Sequence, residues 1–147
     1  MAVTVQFYEH LLEILGDGSI DMDNDTFKVA LFDTNHAFDG TDTQLSDISA
    51  NEIADGNGYT AGGQSLTTVT WSQTAGTVKF DADDPQWTAT GGAIETAYHA
   101  VIYDDTHSND LLICCISFGV GKTAEEGADL NIVFDATDGI FTIASAA

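Results

Sequence analysis

The spacing of apolar residues changes soon after the start of the chain. Over residues 4–15 it is three or four, as on one face of an amphipathic helix, and Gly16 and Gly18 follow as stop signals. The apolar positions are Val5, Phe7, Tyr8, Leu11, Leu12 and Leu15. We therefore predict a short helix here. It would pack on a sheet of its own domain or on a neighbouring subunit, because so short a helix is unstable alone.

Beyond this segment, apolar residues alternate with polar ones or form short runs between turn residues, which is typical of strands. The predicted strands cover residues 27–32, 59–71 (one bent strand or a pair), 77–80, 94–103, 111–118, 130–134 and 140–143. The run 111–118 is almost wholly apolar, which favours a central strand covered on both faces. A polar loop is expected over residues 33–49. The pattern predicts a mainly β fold, an antiparallel β-sandwich or barrel with a short N-terminal helix.

A length of 147 residues fits one domain over residues 1–147, and 44% hydrophobic residues can build its core. The charge is far from balanced, because 24 acidic residues face three lysines and no arginine, for a net charge of -21. Binding to nucleic acid or to anionic membranes needs Lys and Arg, so both are excluded as partners. So acidic a surface also suggests a marine or halophilic source, since salt screens the repulsion.

The two cysteines, Cys114 and Cys115, are adjacent, so on a strand they point to opposite faces and do not form a relaxed disulfide. We expect two small buried apolar side chains. The first residues lack the basic and apolar segments of a secretory signal, so we expect synthesis in the cytoplasm without a leader.

Two motifs resemble nucleotide or calcium sites without matching them. The segment 119–123, Gly-Val-Gly-Lys-Thr, lacks the first glycine of a P-loop, since that position is Ile116, and we interpret it as a turn. The alternation of Asp21, Asp23 and Asp25 begins like an EF-hand loop, but Thr26 and Phe32 stand where the glycine and the last glutamate belong.

No cofactor is predicted, although loose carboxylate sites for Ca²⁺ or Mg²⁺ stay open as an alternative to solvated loops. The candidate ligands are Asp21, Asp23, Asp25, Asp81 and Asp83. The four histidines, His10, His36, His99 and His107, lack metal-ligand spacing, and no Gly-x-Ser-x-Gly nucleophile motif occurs. We therefore expect no enzymatic activity. Aromatic residues on strands are interpreted as core or interface, with a carbohydrate-binding module as the alternative. They are Tyr59, Trp71, Trp87, Tyr98 and Tyr103.

Several segments resemble a family of small virion structural proteins of tailed bacteriophages. The most specific is Gly-Tyr-Thr-Ala-Gly-Gly at residues 58–63. Others are residues 47–53, 64–66, 79–87, 100–106 and 135–143, together with the layout of residues 20–31. The resemblance covers nearly the whole chain, and only the scarcity of lysine and the paired cysteines depart from it.

The resemblance implies a structural component of the particle, of the head-decoration, tail or minor structural type. From it we expect a decoration (cement) protein on the outer surface of the head that binds the major capsid protein and itself, as a trimer or another ring. A tail, neck or fibre component is the alternative. The expected docking surfaces are the helix face with Phe7 and Leu11, and the loop 33–49, which contains Phe38.

Overall fold

The computed structural model describes residues 3–146, in which ten strands form three antiparallel sheets. In chain order the elements are β1 Thr4–Phe7, α1 Leu11–Gly16, β2 Phe27–Phe32, α2 Leu45–Ile48, a 3-10 turn Ser49–Asn51, β3 Gln64–Ser65, β4 Thr70–Thr74, β5 Thr77–Asp81, β6 Gln86–Thr88, β7 Ile94–Asp104, β8 Leu111–Ala124, β9 Asp129–Asn131 and β10 Phe141–Ala144. The predicted mainly β, antiparallel class is confirmed.

The largest sheet has five strands in the order β1-β8-β7-β2-β3. A three-stranded sheet, β10-β5-β4, and the pair β6-β9 make up the rest. Aromatic rings join the five-stranded sheet to the three-stranded one, because Phe27 lies 5.3 Å from Phe80, which lies 5.2 Å from Phe141. These contacts produce the layered packing of a sandwich.

Both faces of the five-stranded sheet are covered. The larger core cluster fills the space towards the other sheets, and a smaller one lies under the loop 33–51 and includes Phe32, Val101 and Leu112. Residues 111–116 of β8 are all buried, so the predicted central strand is confirmed. Cys114 belongs to the larger cluster and Cys115 to the smaller, and both are free thiols, as expected from the alternation along a strand.

The N-terminal helix is shorter than predicted, because residues 4–7 form β1 and only residues 11–16 are helical. Strand β1 pairs with β8 in the register Thr4 with Ser117 and Phe7 with Cys114. The free edge of the long strand β8 supplies backbone hydrogen bonds that one helical turn could not replace, so pairing overrides the helical spacing. The helix packs on its own domain through Leu11 and Ile14.

The segment 119–123 is not the predicted turn but part of β8. Ala97 pairs with Lys122 whereas His99 pairs with Ser117, so β8 carries extra residues opposite Tyr98. The bulge uses Gly119 at a φ of 73°. Glycines therefore mark a β-bulge here, which sequence spacing alone does not distinguish from a turn.

The boundaries of other predicted elements differ from the observed ones by smaller amounts. Residues 59–71, predicted as one bent strand or a pair, contain a loop, the short strand β3 and the start of β4. The strand predicted over residues 130–134 is the shorter β9. The helix α2 lies inside the predicted loop 33–49, and β6 was not predicted at all. Strand β6 has three residues, of which Trp87 alone is buried, so it carries almost no apolar pattern.

Candidate docking surface

Strand β1 is an edge strand whose side chains are all exposed. Natural edge strands are commonly protected by charges or proline, but Thr4–Phe7 contains neither. Its outer side therefore offers unpaired backbone groups to another chain.

Exposed apolar side chains concentrate around this strand. Val3 is 60% exposed, Phe7 42% and Leu12 68%, and Val133 on a neighbouring loop is 76% exposed. We call Val3, Val5, Phe7, Leu12 and Val133 the apolar edge. Contiguous exposed apolar groups of this kind mark interaction sites on soluble proteins.

A cleft of about 730 Å³ lies beside the apolar edge. Val3, Val5 and Val133 line it together with Phe118 and Ile132 of the core. A second, smaller groove of about 310 Å³ runs between Phe7, Leu12 and the last strand, β10. Strand β1 thus borders two depressions that could receive side chains of a partner, and the larger one combines apolar side chains with Lys122, Asp135 and Asp138.

The rest of the exterior is acidic. Of the 24 acidic residues, all within residues 3–146, only Asp104 is buried. Lys28 and Lys79 form ion pairs with Asp105 at 3.1 Å and with Asp81 at 3.3 Å. Each pair is about one-third exposed, so each contributes little to stability.

The third lysine lies at the cleft. The ammonium group of Lys122 is 5.4 Å from the ring centroid of Phe118, at cation–π distance, and both residues line the cleft. The apolar edge itself is uncharged, and the cleft beside it carries two aspartates, Asp135 and Asp138, together with this one cation. The edge therefore interrupts a surface that would repel other acidic surfaces.

The three residues predicted for docking have different positions. Phe7 lies on the apolar edge and contacts Phe141 edge-on at 4.9 Å. Leu11 is 1% exposed and belongs to the core, so it offers almost no surface to a partner, although it also lines the smaller groove. Phe38 is half-buried and packs on Tyr8 at 5.1 Å beneath its loop. The helix predicted over residues 4–15 placed Leu11 on the same face as Phe7, whereas β1 and α1 give the two side chains different environments.

Most of the acidic residues predicted as metal ligands serve the fold. Asp21 accepts hydrogen bonds from the backbone N–H groups of Asp23 and Asn24 at 3.0 and 3.2 Å. Asp81 binds Lys79 and accepts from its neighbour's N–H, and Asp83 accepts from the hydroxyls of two threonines, at 3.1 and 2.6 Å. Within residues 3–146 no three His, Cys, Asp or Glu side chains form a group arranged to hold a metal ion.

A buried polar cluster lies under the loop 33–51. The Nε2 atom of His36 is 3.9 Å from Sγ of Cys115, and the ring of His36 is 5.2 Å from that of His99. Burial lowers the pKa of His36 to about 4 and raises that of Cys115 to about 12. Both groups are therefore neutral at pH 7, which is the unreactive form of a thiol–imidazole pair.

The aromatic residues considered for carbohydrate binding do not form an exposed row. Tyr59, Trp87 and Tyr103 are buried, and Trp71 and Tyr98 are half-buried. Tyr59 packs on Trp87, with ring centroids 6.1 Å apart, inside the domain. Their positions favour the interpretation as core.

Neither helix of the described residues has the length and apolarity needed to cross a membrane. No known protein family, curated protein or solved structure matches the chain.

Proposed function

We propose that the chain is a structural protein of a tailed-phage particle, a decoration protein that binds the outer surface of the head and stabilises it, and not an enzyme. The observation that carries this proposal is the apolar edge on an otherwise acidic exterior. A chain that acts by adhesion needs one surface complementary to its partner and a soluble remainder, and this arrangement supplies both.

The net negative charge of the chain limits the kind of partner that it can bind. A chain with a net charge of -21 is repelled by packaged DNA and by acidic surfaces, so the major capsid protein would offer a neutral or basic site facing outward. An extended segment of that protein could add to β1 as a further strand, with apolar side chains in the two depressions. Copies would gather as trimers or other rings at symmetry axes, so that many modest contacts act together.

The copy number in purified particles tests this proposal. Quantitative mass spectrometry would compare the chain with the major capsid protein. A ratio near one per capsid subunit is expected for decoration. A few copies per particle would contradict decoration and favour a tail, neck or fibre component, and absence from particles would contradict a virion role altogether.

A further inference from the structure

Residues 34–39 lie over the smaller core cluster, and no backbone hydrogen bond ties them to a strand or helix among residues 3–146. The chain is fixed on either side of them. The N–H of Asp33 donates to the carbonyl of Asn51, and the carbonyl of Gly40 accepts from the N–H of Glu9, both at 2.9 Å. We call residues 34–39 the flap. Its side chains must therefore hold it on the sheet.

Two side chains of the flap point inward, and the other four are exposed. Phe38 is half-buried and packs on Tyr8, whose ring centroid is 5.1 Å away. Burial raises the pKa of the Tyr8 phenol, so this contact does not change with acid. His36 is 4% exposed, and its ring lies 4.9 Å from that of Phe32 on β2. His36 is thus the more deeply buried of the two anchors of the flap.

The strands beneath the flap present an aromatic ring, a thiol and a second imidazole to His36. The ring is that of Phe32, and the thiol is that of Cys115 on β8, with Sγ 3.9 Å from Nε2 of His36. The ring of His99 on β7 lies 5.2 Å from that of His36, and its Nδ1 atom is buried without a hydrogen-bond partner among residues 3–146. These groups supply no anion to a protonated His36, and a charge on His99 would repel it.

Asp33, at the start of the loop, is the acidic group whose charge favours protonation of His36. Its carboxylate accepts hydrogen bonds from the N–H and the side-chain amide of Asn35 at 2.8 and 2.9 Å. Burial and the charge of His99 outweigh it, so the pKa of His36 is about 4 while the flap is closed. An imidazole in water has a pKa of about 6.5, so protons bind preferentially to a form in which His36 is exposed.

We propose that the flap is an acid-sensitive switch, in which protonation of His36 releases residues 34–39 from the sheet and uncovers Cys115 while the rest of the fold stays intact. The hydrogen bonds at Asp33 and Gly40 confine the opening to the segment between them. Opening breaks no backbone hydrogen bond to another element, so it needs less free energy than unfolding of the sheets. Closure is stable above about pH 6.5 and weakens as the pH falls towards 4.

The two adjacent thiols distinguish opening of the flap from unfolding. Cys115 lies beneath the flap, whereas Cys114 belongs to the core cluster on the opposite face of the sheet. The whole chain is treated with a dipyridyl disulfide, which reacts with thiols in acid as well as at neutral pH, and tandem mass spectrometry locates the label. Each initial rate is divided by the rate of the same thiol in guanidinium chloride at the same pH.

We expect this ratio for Cys115 to rise by roughly fiftyfold from pH 7 to pH 4.5, which is the change in the open fraction that follows from the two pKa values of His36. The ratio for Cys114 should stay low at both pH values. His36→Gln should lose most of the pH dependence at Cys115, even if glutamine loosens the flap at both pH values. His107→Gln changes a half-exposed histidine outside the flap and should keep the wild-type rise.

An equal rise at both thiols of the wild-type chain would mean global unfolding, and no rise at Cys115 would mean that the flap stays closed. Either result overturns the proposal. A wild-type rise in His36→Gln, or loss of the rise in His107→Gln, would overturn it as well, because His36 would then not be the group that controls the flap. None of these results depends on whether the chain is part of a virion.

Discussion

The hydroxyl group of Tyr59 donates a hydrogen bond of 2.6 Å to Oε1 of Glu52 and accepts one of 2.9 Å from the N–H of Leu31. The same Glu52 oxygen accepts from the N–H of Gly62 at 2.6 Å, and the carbonyl of Gly62 accepts from Tyr103 at 2.6 Å. The Gly-Tyr-Thr-Ala-Gly-Gly segment is therefore a structural clamp that fixes the loop before β3 to β2 and β7.

Removing the hydroxyl group tests this clamp. Tyr59→Phe leaves the Glu52 carboxylate and the Leu31 N–H short of a partner, so we expect a loss of about 1–3 kcal/mol in the free energy of unfolding. Glu52→Gln keeps an acceptor oxygen in place and should lose less. Urea unfolding measures both, and equal stability of Tyr59→Phe and the wild type would contradict the clamp.

Gly63 is required by a close approach of two backbones. Its φ is 75°, and an added Cβ would lie 2.5 Å from the carbonyl carbon of Val29 and 2.7 Å from Cα of Ala30. We expect Gly63→Ala to destabilise the fold by about 3 kcal/mol or more. Gly91, with a φ of 84° and open space around its Cβ position, is the control, and Gly91→Ala should cost about 1 kcal/mol. Equal losses in thermal unfolding would rule out the clash.

The buried imidazole of His36 makes stability depend on pH. Its pKa is about 4 in the folded chain, below the usual 6.5, because burial disfavours the charged form. The unfolded chain therefore binds the extra proton between pH 6.5 and pH 4. Stability present above pH 6.5 is lost as the pH falls through this window, by up to about 3 kcal/mol.

Denaturant unfolding at pH 7 and pH 4.5 measures this loss. His36→Gln should show a smaller loss than the wild type, since glutamine does not titrate. His107→Gln changes a half-exposed histidine and should keep the wild-type loss. The same pH dependence in all three chains would exclude His36 as the cause.

Both thiols should be unreactive in the folded chain. Cys114 and Cys115 are buried on opposite faces of β8, and burial raises the pKa of each, to about 12 for Cys115. At pH 8 a thiol reagent should therefore label neither within minutes, and should label two thiols per chain in guanidinium chloride. Fast labelling before denaturation, or fewer than two thiols after it, would contradict these positions.

Salt should stabilise the fold. With 23 of the 24 acidic side chains at least partly exposed (24 less the buried Asp104), repulsion across the surface outweighs the two exposed ion pairs that salt would weaken. We expect Tm to rise steadily from 10 mM to 1 M NaCl, with the same result in KCl. If Tm at 10 mM NaCl equals Tm at 1 M NaCl, the halophilic interpretation is contradicted.

The sequence predicts those elements whose side chains alone determine them. Strands β2, β7 and the central part of β8 were located because buried residues dominate each run. Strand β1 was mistaken for a helix because its identity depends on the free edge of β8, about 110 residues away along the chain. The bulge after Phe118 depends likewise on its register with β7.

The residues of the candidate sites were harder to predict from the sequence than the strands were. Phe7 was found because it is a large apolar residue near the start, whereas Val133 follows a buried isoleucine and carries no surface signal. Asp104 stands between a buried tyrosine and an exposed aspartate in a chain full of acids. Only its complete burial distinguishes it from the others.

The central claim is that the chain docks through the apolar edge. Binding of the purified chain to phage heads that lack it tests this claim most directly. Val5→Lys places a charge on β1, and Ser72→Lys places the same charge on β4, an exposed edge strand of the other sheet. We predict that Val5→Lys lowers the affinity for heads at least about tenfold, which corresponds to about 1.4 kcal/mol, while Ser72→Lys binds as the wild type does. Equal binding of both variants would contradict the account.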